Sequence, residues 1–167
     1  MHNKIIIYPG TFDPITLGHM DLIERSLKIF DKVIIAVAQN SNKKTLFSFT
    51  ERIDLIKQIF TGNKKIMVDG FTGLLVDFAK TKNCYAILRG LRVVSDFEYE
   101  FQMSGINRIL NKDIETLFLT PSEKYAYISS SMVKEVAILN GSLTKFVDPI
   151  IQIAVEKKLS SITAKSS

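Results

Sequence analysis

The feature that most constrains the fold is an alternation of short apolar segments with longer amphipathic segments. Residues 4–8 and 32–38 are almost entirely apolar after an initial lysine. Such runs are typical of parallel strands that are buried on both faces. Three more β-rich runs complete a predicted set of five strands, at residues 65–68, 85–88 and 115–119.

The segments between these runs have the spacing of amphipathic helices. In residues 19–30 the apolar positions recur along one stripe, and charged residues occupy the other positions. Ser48 and Glu51 form a capping-box pattern, which predicts a helix over residues 49–60. The remaining predicted helices span residues 74–80, 96–110, 129–139 and 149–159.

Strands that alternate with helices predict a doubly wound α/β sheet of five parallel strands. Such sheets bind ligands at the carboxyl ends of the strands, near the point where the strand order reverses. A length of 167 residues suits a single domain, which we expect to span residues 1–159. The last residues, 160–167, are small and polar and are predicted to form a frayed, flexible tail.

Charge and cysteine content limit the classes of function. The net charge of +5 indicates an anionic partner, but the basic residues are spread along the chain, which argues against a nucleic-acid-binding module. No apolar run approaches the roughly 18 residues that a membrane span requires, and the first residues do not resemble a secretory signal. The single cysteine, Cys84, excludes an internal disulfide and favours a reducing compartment, so we expect a cytoplasmic protein.

The loop after the first predicted strand carries the strongest chemical signal. Residues 8–19 read Tyr-Pro-Gly-Thr-Phe-Asp-Pro-Ile-Thr-Leu-Gly-His and lead into a predicted helix. The free amide groups at a helix start favour a phosphate there. Gly10 and Gly18 permit a close backbone approach. Thr11 can offer a hydroxyl, and His19 a ring N–H, to phosphate oxygens.

Two other segments offer groups that bind anions. Residues 129–131 are three consecutive serines at a predicted helix start, where one serine would be enough for capping. Arg89 and Arg92 flank Gly90 directly after the fourth predicted strand, and their fork-shaped guanidinium groups can hold phosphate oxygens. We therefore expect the loop, the serines and the arginines to converge on one polyphosphate pocket.

Together these motifs resemble the bacterial phosphopantetheine adenylyltransferase family, within the nucleotidyltransferase superfamily. The resemblance covers about residues 4–159. Thr-Leu-Gly-His at 16–19 is similar to the Thr/His-x-Gly-His signature of the superfamily, and Ile-Ser-Ser-Ser at 128–131 is similar to its Ile-Ser-Ser-Thr/Ser element. The other matching motifs are Asn-Lys-Lys at 42–44, Phe-Thr-Glu-Arg at 49–52, Arg-Gly-Leu-Arg at 89–92 and Asp-Phe-Glu-Tyr-Glu at 96–100.

The resemblance implies a Rossmann-like fold and transfer of the adenylyl group of ATP to 4′-phosphopantetheine, giving dephospho-coenzyme A and pyrophosphate. It implies that His19 contacts ATP and stabilises the transition state. The residues implied to bind phosphopantetheine are Thr11, Lys43, Leu75 and Arg89. Those implied to bind ATP are Thr11, Phe12, His19, Gly90, Leu91, Arg92, Glu100, Tyr125, Ala126, Tyr127, Ile128, Ser129, Ser130 and Ser131.

The resemblance also implies partners and an assembly. Mg²⁺ is expected to accompany ATP and to be held mainly by phosphate oxygens, so no protein ligand to a metal is predicted. A homohexamer and feedback binding of coenzyme A are further implications, and neither a nucleic acid nor a membrane is expected as a partner. Tyr125 stands where relatives commonly have tryptophan, and its ring can serve the same packing role.

The nearest alternative is another small-substrate nucleotidyltransferase, whose acceptor is nicotinamide mononucleotide or a polyol phosphate. The nicotinamide group tends to carry arginine a few residues after the serine element, where this chain has Lys134. Neither alternative is expected to combine the motif at 42–44 with the motif at 89–92. A tRNA-charging enzyme shares the Gly-His theme, but 167 residues leave no space for an anticodon-reading domain.

Overall fold

One parallel sheet of five strands organises residues 4–39 and 44–166, which the computed structural model describes. Its strands are β1 (Ile5–Gly10), β2 (Lys32–Ala38), β3 (Ile66–Phe71), β4 (Ala86–Gly90) and β5 (Glu115–Leu119). Their spatial order is β3-β2-β1-β4-β5, with every neighbouring pair parallel. The chain therefore winds outward from β1 in both directions, and the predicted doubly wound, Rossmann-like sheet is confirmed.

In the described residues, six α-helices connect or follow the strands. They are α1 (Leu17–Ser26), α2 (Phe49–Ile59), α3 (Leu75–Thr81), α4 (Val94–Leu110), α5 (Ser130–Ile138) and α6 (Pro149–Ser166). A short 3₁₀ helix, Glu123–Tyr125, lies between β5 and α5. The predicted capping box of α2 is present, since Ser48 Oγ accepts from the Glu51 N–H and the Glu51 carboxylate accepts from the Ser48 N–H. None of the described helices is long and apolar enough to cross a membrane.

Two apolar clusters cover the two faces of the sheet. Ile6 and Ile35 belong to a cluster that also takes in side chains of α1, α2, α5 and α6. Ile7 and Ile34, one position along each strand, belong to a second cluster that includes side chains of α3. Because successive side chains of a strand point to opposite faces, the central strands need apolar residues at every position. This requirement explains the uninterrupted apolar runs in the sequence.

The end of the chain differs from the predicted frayed tail in its secondary structure. Helix α6 continues to Ser166, beyond the predicted end at residue 159. The Ser160 and Ser161 hydroxyls donate to the main-chain oxygens of Glu156 and Lys158, at 2.9 and 2.7 Å. These hydroxyls bond to main-chain oxygens of the preceding turn. The small polar residues thus continue the helix, but they add no apolar stripe from which a helix could be predicted.

Candidate active site

A cavity of about 400 Å³ lies at the carboxyl ends of β1 and β4, where the strand order reverses. Its walls include Gly10 at the end of β1 and Gly90 at the end of β4. The start of α1 contributes His19, and the start of α5 contributes Ser130. This is the position at which open α/β sheets bind ligands. The structure thus brings the first loop, the arginine segment and the serine triplet to one cavity.

The predicted site residues fall into four groups. Those that line this cavity are Thr11, Phe12, His19, Arg89, Gly90, Arg92, Glu100, Tyr125, Ile128, Ser129, Ser130 and Ser131. Those predicted for ATP that are not among its lining residues are Leu91, Ala126 and Tyr127, and Tyr127 is 78 % exposed. Leu75 lines a neighbouring cavity, and Lys43 lies outside the described residues.

A capping box at the start of α1 fixes the orientation of His19. The Thr16 N–H donates to Nδ1 of His19 at 3.0 Å, and Thr16 Oγ1 accepts from the His19 N–H at 3.4 Å. A main-chain N–H can only donate, so Nδ1 must be the acceptor, and the neutral ring carries its hydrogen on Nε2. The ring also packs edge-on against Phe12, with centroids 5.2 Å apart. The side chain therefore offers an Nε2–H donor to the cavity that it lines.

The surroundings of His19 keep its ring neutral. Burial and, to a smaller extent, the nearby positive charge of Arg92 together lower the pKa of His19 from 6.5 to about 4. At pH 7 the ring is consequently an uncharged hydrogen-bond donor.

Arg89 crosses the end of the sheet in a fixed orientation. Its Nε and Nη2 donate to the two carboxylate oxygens of Glu100 at 2.6 and 2.5 Å, and its Nη1 donates to the Pro9 carbonyl at 3.1 Å. These bonds leave one N–H on each terminal nitrogen of the guanidinium group. Glu100, which the resemblance assigns to ATP, contacts Arg89 here and orients it.

Arg92 is held in a similar way by a residue for which sequence reasoning proposed no role. Its Nε and Nη2 donate to the Asp96 carboxylate at 3.1 and 3.3 Å, one helical turn further along the chain. The main-chain N–H of Arg92 donates to the same carboxylate at 3.2 Å. Since a bidentate pair fixes the plane of the guanidinium group, Asp96 positions Arg92 at the wall of the cavity.

Asp13 is the buried residue whose contacts sequence reasoning missed most completely. It is 3 % exposed, and its carboxylate accepts from the main-chain N–H groups of Leu46 and Phe47, both at 2.9 Å. Lys134 Nζ of α5 donates to the same carboxylate at 2.8 Å. One buried charge thus links the first loop to the segment before α2 and to α5. The partners lie 33, 34 and 121 residues away, so no local pattern could have identified them.

The three serines at the start of α5 have different contacts. Ser129 caps the helix by accepting from the Met132 N–H at 3.1 Å. The Ser130 hydroxyl donates to the Pro14 carbonyl at 2.8 Å, which joins α5 to the first loop. Ser131 also lines the cavity. Because the first N–H groups of a helix lack partners within it, this end of α5 can receive an anion.

A second cavity of about 410 Å³ adjoins the first and shares Arg89 and Glu100 with it. Its other lining residues are mainly apolar, and most of them come from the start of α3 and from α4, including Leu75, Met103 and Leu110. The two cavities therefore join a cationic compartment to an apolar one, with the Arg89 guanidinium between them.

The carboxylates around the first cavity are already paired with cations. Asp13 pairs with Lys134, Glu100 with Arg89, and Asp96 with Arg92. In the part of the chain that the structure describes, no group of three or more His, Cys, Asp or Glu side chains could hold a metal ion. The cavity can thus bind an anion, because its own acidic groups are paired with basic side chains.

Comparisons with known proteins agree with this geometry. A family model described as cytidylyltransferase-like matches residues 7–136. The chain is 50 % identical to the phosphopantetheine adenylyltransferase of Geobacter metallireducens over 160 residues, which covers 96 % of this chain and 98 % of the relative. It is 54 % identical to that of Geotalea daltonii over 155 residues, which covers 93 % and 96 %. The chain belongs to the phosphopantetheine adenylyltransferase family. Family membership confirms the resemblance found in the sequence.

Two solved structures share the fold. One is a putative nicotinate-nucleotide adenylyltransferase from Vibrio parahaemolyticus, with a TM-score of 0.67 at 17 % identity, covering 96 % of this chain and 93 % of that one. The other is a nicotinic acid mononucleotide adenylyltransferase from Plasmodium falciparum in complex with NaAD, with a TM-score of 0.65 at 19 % identity and 96 % coverage of both chains. At these identities the likeness is one of architecture.

The lowered pKa of His19 predicts a specific dependence of stability on pH. The unfolded chain takes up a proton at this position as pH falls below about 6.5, whereas the folded chain does so only near pH 4. The free energy of unfolding should therefore decrease as pH falls from 6.5 towards 4. Urea denaturation at pH 7.5 and pH 5.0 should show a loss that is roughly 1–2 kcal/mol larger in the wild type than in His19→Gln. Equal losses in the two proteins would contradict the assigned protonation state.

The surroundings of Gly18 predict that a substitution there lowers activity without lowering stability. Its φ lies outside the left-handed region, and a Cβ there would meet the Tyr125 carbonyl oxygen at 3.5 Å and Thr16 Oγ1 at 3.6 Å, which are ordinary contacts. Only a ligand in the cavity that it lines would exclude the methyl group. Gly18→Ala should therefore gain up to about 1 kcal/mol of stability and lose about 100-fold in adenylyl transfer. Gly105→Ala is the control, because no atom lies within 4 Å of a Cβ there. Wild-type turnover in Gly18→Ala would contradict the prediction.

Proposed function

We propose that this chain transfers the adenylyl group of ATP to 4′-phosphopantetheine, giving dephospho-coenzyme A and pyrophosphate. The observation that carries the proposal is the pair of adjoining cavities that share Arg89. One cavity suits a polyphosphate and the other suits an extended, largely uncharged chain. An acceptor with a phosphate at one end of a pantetheine arm fits that combination.

In this proposal ATP occupies the first cavity. Its phosphates lie near the start of α5, where Ser129 and Ser131 line the wall, and near the remaining donors of Arg92. Tyr125 also lines this cavity and supplies a flat surface for the nucleotide. The positive ends of α1 and α5 and the fixed guanidinium group add to the attraction for a polyanion.

The acceptor phosphate lies at the boundary between the cavities. Arg89 has an unused N–H on each of its terminal nitrogens, and Thr11 lines the same wall. The pantetheine arm then extends along the apolar second cavity past Leu75. The family resemblance adds Lys43 to the residues that bind this phosphate, although Lys43 lies outside the described residues.

The chemistry requires positioning more than proton transfer. A phosphate oxygen of the acceptor attacks the α-phosphorus of ATP, a new O–P bond forms, and the bond to the β-phosphate oxygen breaks to release pyrophosphate. The attacking phosphate is already anionic at neutral pH, so no general base is needed. Nε2–H of His19 donates to a phosphoryl oxygen as negative charge moves towards the leaving group. A neutral ring performs this role without losing its proton.

Mg²⁺ is proposed to enter with ATP. The acidic residues Asp13, Glu100 and Asp96 are each occupied by a basic partner. Oxygens of the triphosphate would therefore supply most of the ligands, which suits an ion that retains several waters. The bound ion would neutralise part of the triphosphate charge, while the chain's own donors orient the reacting groups.

Assembly, regulation and location are proposed from family membership. A homohexamer is supported by large apolar side chains exposed on α4, where Val94 and Ile109 are 88 % and 86 % exposed. Coenzyme A shares the pantetheine arm and the adenylate of the product, so it would compete for both cavities as a feedback inhibitor. The single cysteine fits a reducing cytoplasm.

The acceptor assay tests the proposed reaction directly. We expect purified chain with ATP and Mg²⁺ to release pyrophosphate when 4′-phosphopantetheine is added, and mass spectrometry to identify dephospho-coenzyme A. Nicotinamide mononucleotide and glycerol 3-phosphate are the comparison acceptors, because the alternative nucleotidyltransferases act on compounds of these kinds. Faster pyrophosphate release with either comparison acceptor would refute the assignment.

The second cavity predicts a selective effect of Leu75→Ala. The substitution removes apolar surface that would cover the pantetheine arm, and it lies away from the proposed ATP phosphates. The KM for 4′-phosphopantetheine should increase about 10-fold, while the KM for ATP should stay within about twofold and serve as the internal control. Leu139→Ala, at a position that is 81 % exposed, provides a matched variant. An equal increase in both KM values would show that the second cavity does not hold the arm.

A further inference from the structure

Tyr8 of β1 is a buried polar side chain to which the proposed mechanism gives no role. It is 5 % exposed and lines the first cavity. Its neighbour in the strand, Ile7, packs in the cluster on the other face of the sheet. The ring of Tyr8 packs edge-on against Phe12, with centroids 5.4 Å apart, and its centroid is 6.2 Å from that of His19. Tyr8 thus lies beside the residue that is proposed to stabilise the transition state.

The hydroxyl of Tyr8 faces the end of β4. A Cβ built on Gly90, which lines the same cavity, would lie 3.6 Å from this hydroxyl. Within residues 4–39 and 44–166 the hydroxyl has no hydrogen-bond partner, and its oxygen is open to the cavity, since the fully enclosed unpaired atoms are Arg52 Nε and Asn111 Nδ2. Buried tyrosine hydroxyls are usually hydrogen-bonded, because an unpaired polar group lowers stability. The partner expected here would therefore come from the contents of the cavity.

The charges around Tyr8 define the chemistry of that partner. Burial raises the pKa of the phenol well above its usual value, so the group stays protonated and is able to donate. Arg89 and Arg92 are both close enough to act electrostatically on the phenol, and so is Glu100, whose carboxylate is paired with Arg89. The Nε and one terminal nitrogen of Arg89 are directed at Glu100, and its other terminal nitrogen at the Pro9 carbonyl. A donor among cations is suited to an anionic oxygen.

We propose that Tyr8 is a further catalytic residue, whose hydroxyl donates a hydrogen bond to a phosphoryl oxygen of a substrate lying between Arg89, Arg92 and His19. The inference rests on the proposed function, since it takes the anion in the first cavity to be a substrate phosphate. Four fixed groups, the phenol, the imidazole and the two guanidinium groups, would then surround the reacting phosphates. Such preorganised donors lower the barrier without rearranging during the reaction.

Tyr8→Phe tests the proposal, because it removes only the hydroxyl and retains the ring that packs against Phe12. We expect kcat/KM to fall about 10- to 100-fold, the range for one hydrogen bond to a charged acceptor. The melting temperature without ligand should stay the same, because the hydroxyl bonds to no protein group that the substitution would leave unpaired. Tyr85→Phe is the matched control at a position that is 50 % exposed and outside both cavities, and it should behave as the wild type.

Ligand-induced increases in melting temperature identify which phosphate is bound. ATP, pyrophosphate and 4′-phosphopantetheine are added separately to the wild type and to Tyr8→Phe, since a ligand that binds the folded state raises the melting temperature with its affinity. If ATP and pyrophosphate raise the melting temperature less in the variant than in the wild type, the Tyr8 hydrogen bond is assigned to the ATP phosphates. A smaller increase for phosphopantetheine alone assigns it to the acceptor, and a fall in kcat with unchanged increases assigns it to the transition state.

Two results would overturn the inference. One is a Tyr8→Phe variant whose kcat/KM stays within about twofold of the wild type. The other is a loss of activity together with a lower melting temperature without ligand, which would make the hydroxyl structural.

The wild type in the same assay separates this inference from the proposed function. If the wild type itself fails to form dephospho-coenzyme A, the function is wrong, whereas an active wild type with an equally active variant refutes only the role of Tyr8.

Discussion

The active-site cations are held in place by carboxylates before a substrate arrives. Arg89 pairs with Glu100, Arg92 with Asp96, and Lys134 with Asp13, and all three cations line the first cavity. Long basic side chains lose much conformational freedom when they bind a ligand, and that loss weakens binding. Here the acidic partners restrict the basic side chains when the chain folds, so this conformational freedom is lost before the ligand binds. The remaining N–H groups can then meet a polyphosphate in a fixed arrangement, although each pair reduces the net positive charge of the cavity.

Asp13 extends this constraint from the site to the fold. Its buried carboxylate has three donors, and they come from two segments remote from each other, residues 46–47 and helix α5. A buried charge is tolerated only when its hydrogen bonds and its counter-charge are present together. The first loop, the approach to α2 and the start of α5 are thereby tied to one another. This tie and the bond from Ser130 to Pro14 hold the serine triplet at the same cavity as His19.

The sequence predicted those parts of the structure that depend on local patterns. Residues 32–38 are apolar at nearly every position because β2 is buried on both faces, and the strand was predicted with the bounds that it has. Ser48 was predicted as a cap because its partner is three residues away. The pairing of Asp13 with Lys134 depends on how the whole chain folds, so no spacing revealed it. Leu91 and Tyr127 show a related difficulty, since a motif specifies which residues are adjacent in a loop but not which side chains face the cavity.

The capping box of α1 explains how one short motif can serve both folding and chemistry. Capping boxes usually place Glu or Gln at the third helical position, and here His19 takes that place, so its Nδ1 satisfies the Thr16 N–H. That local bond leaves Nε2 as the only donor of the ring. A glutamate would cap equally well but would bring a negative charge towards the phosphates. The side chain at this position therefore provides the hydrogen-bond acceptor that caps the helix and the donor that the reaction uses. Among the side chains, only a neutral imidazole provides both an acceptor and a donor from opposite sides of one rigid ring.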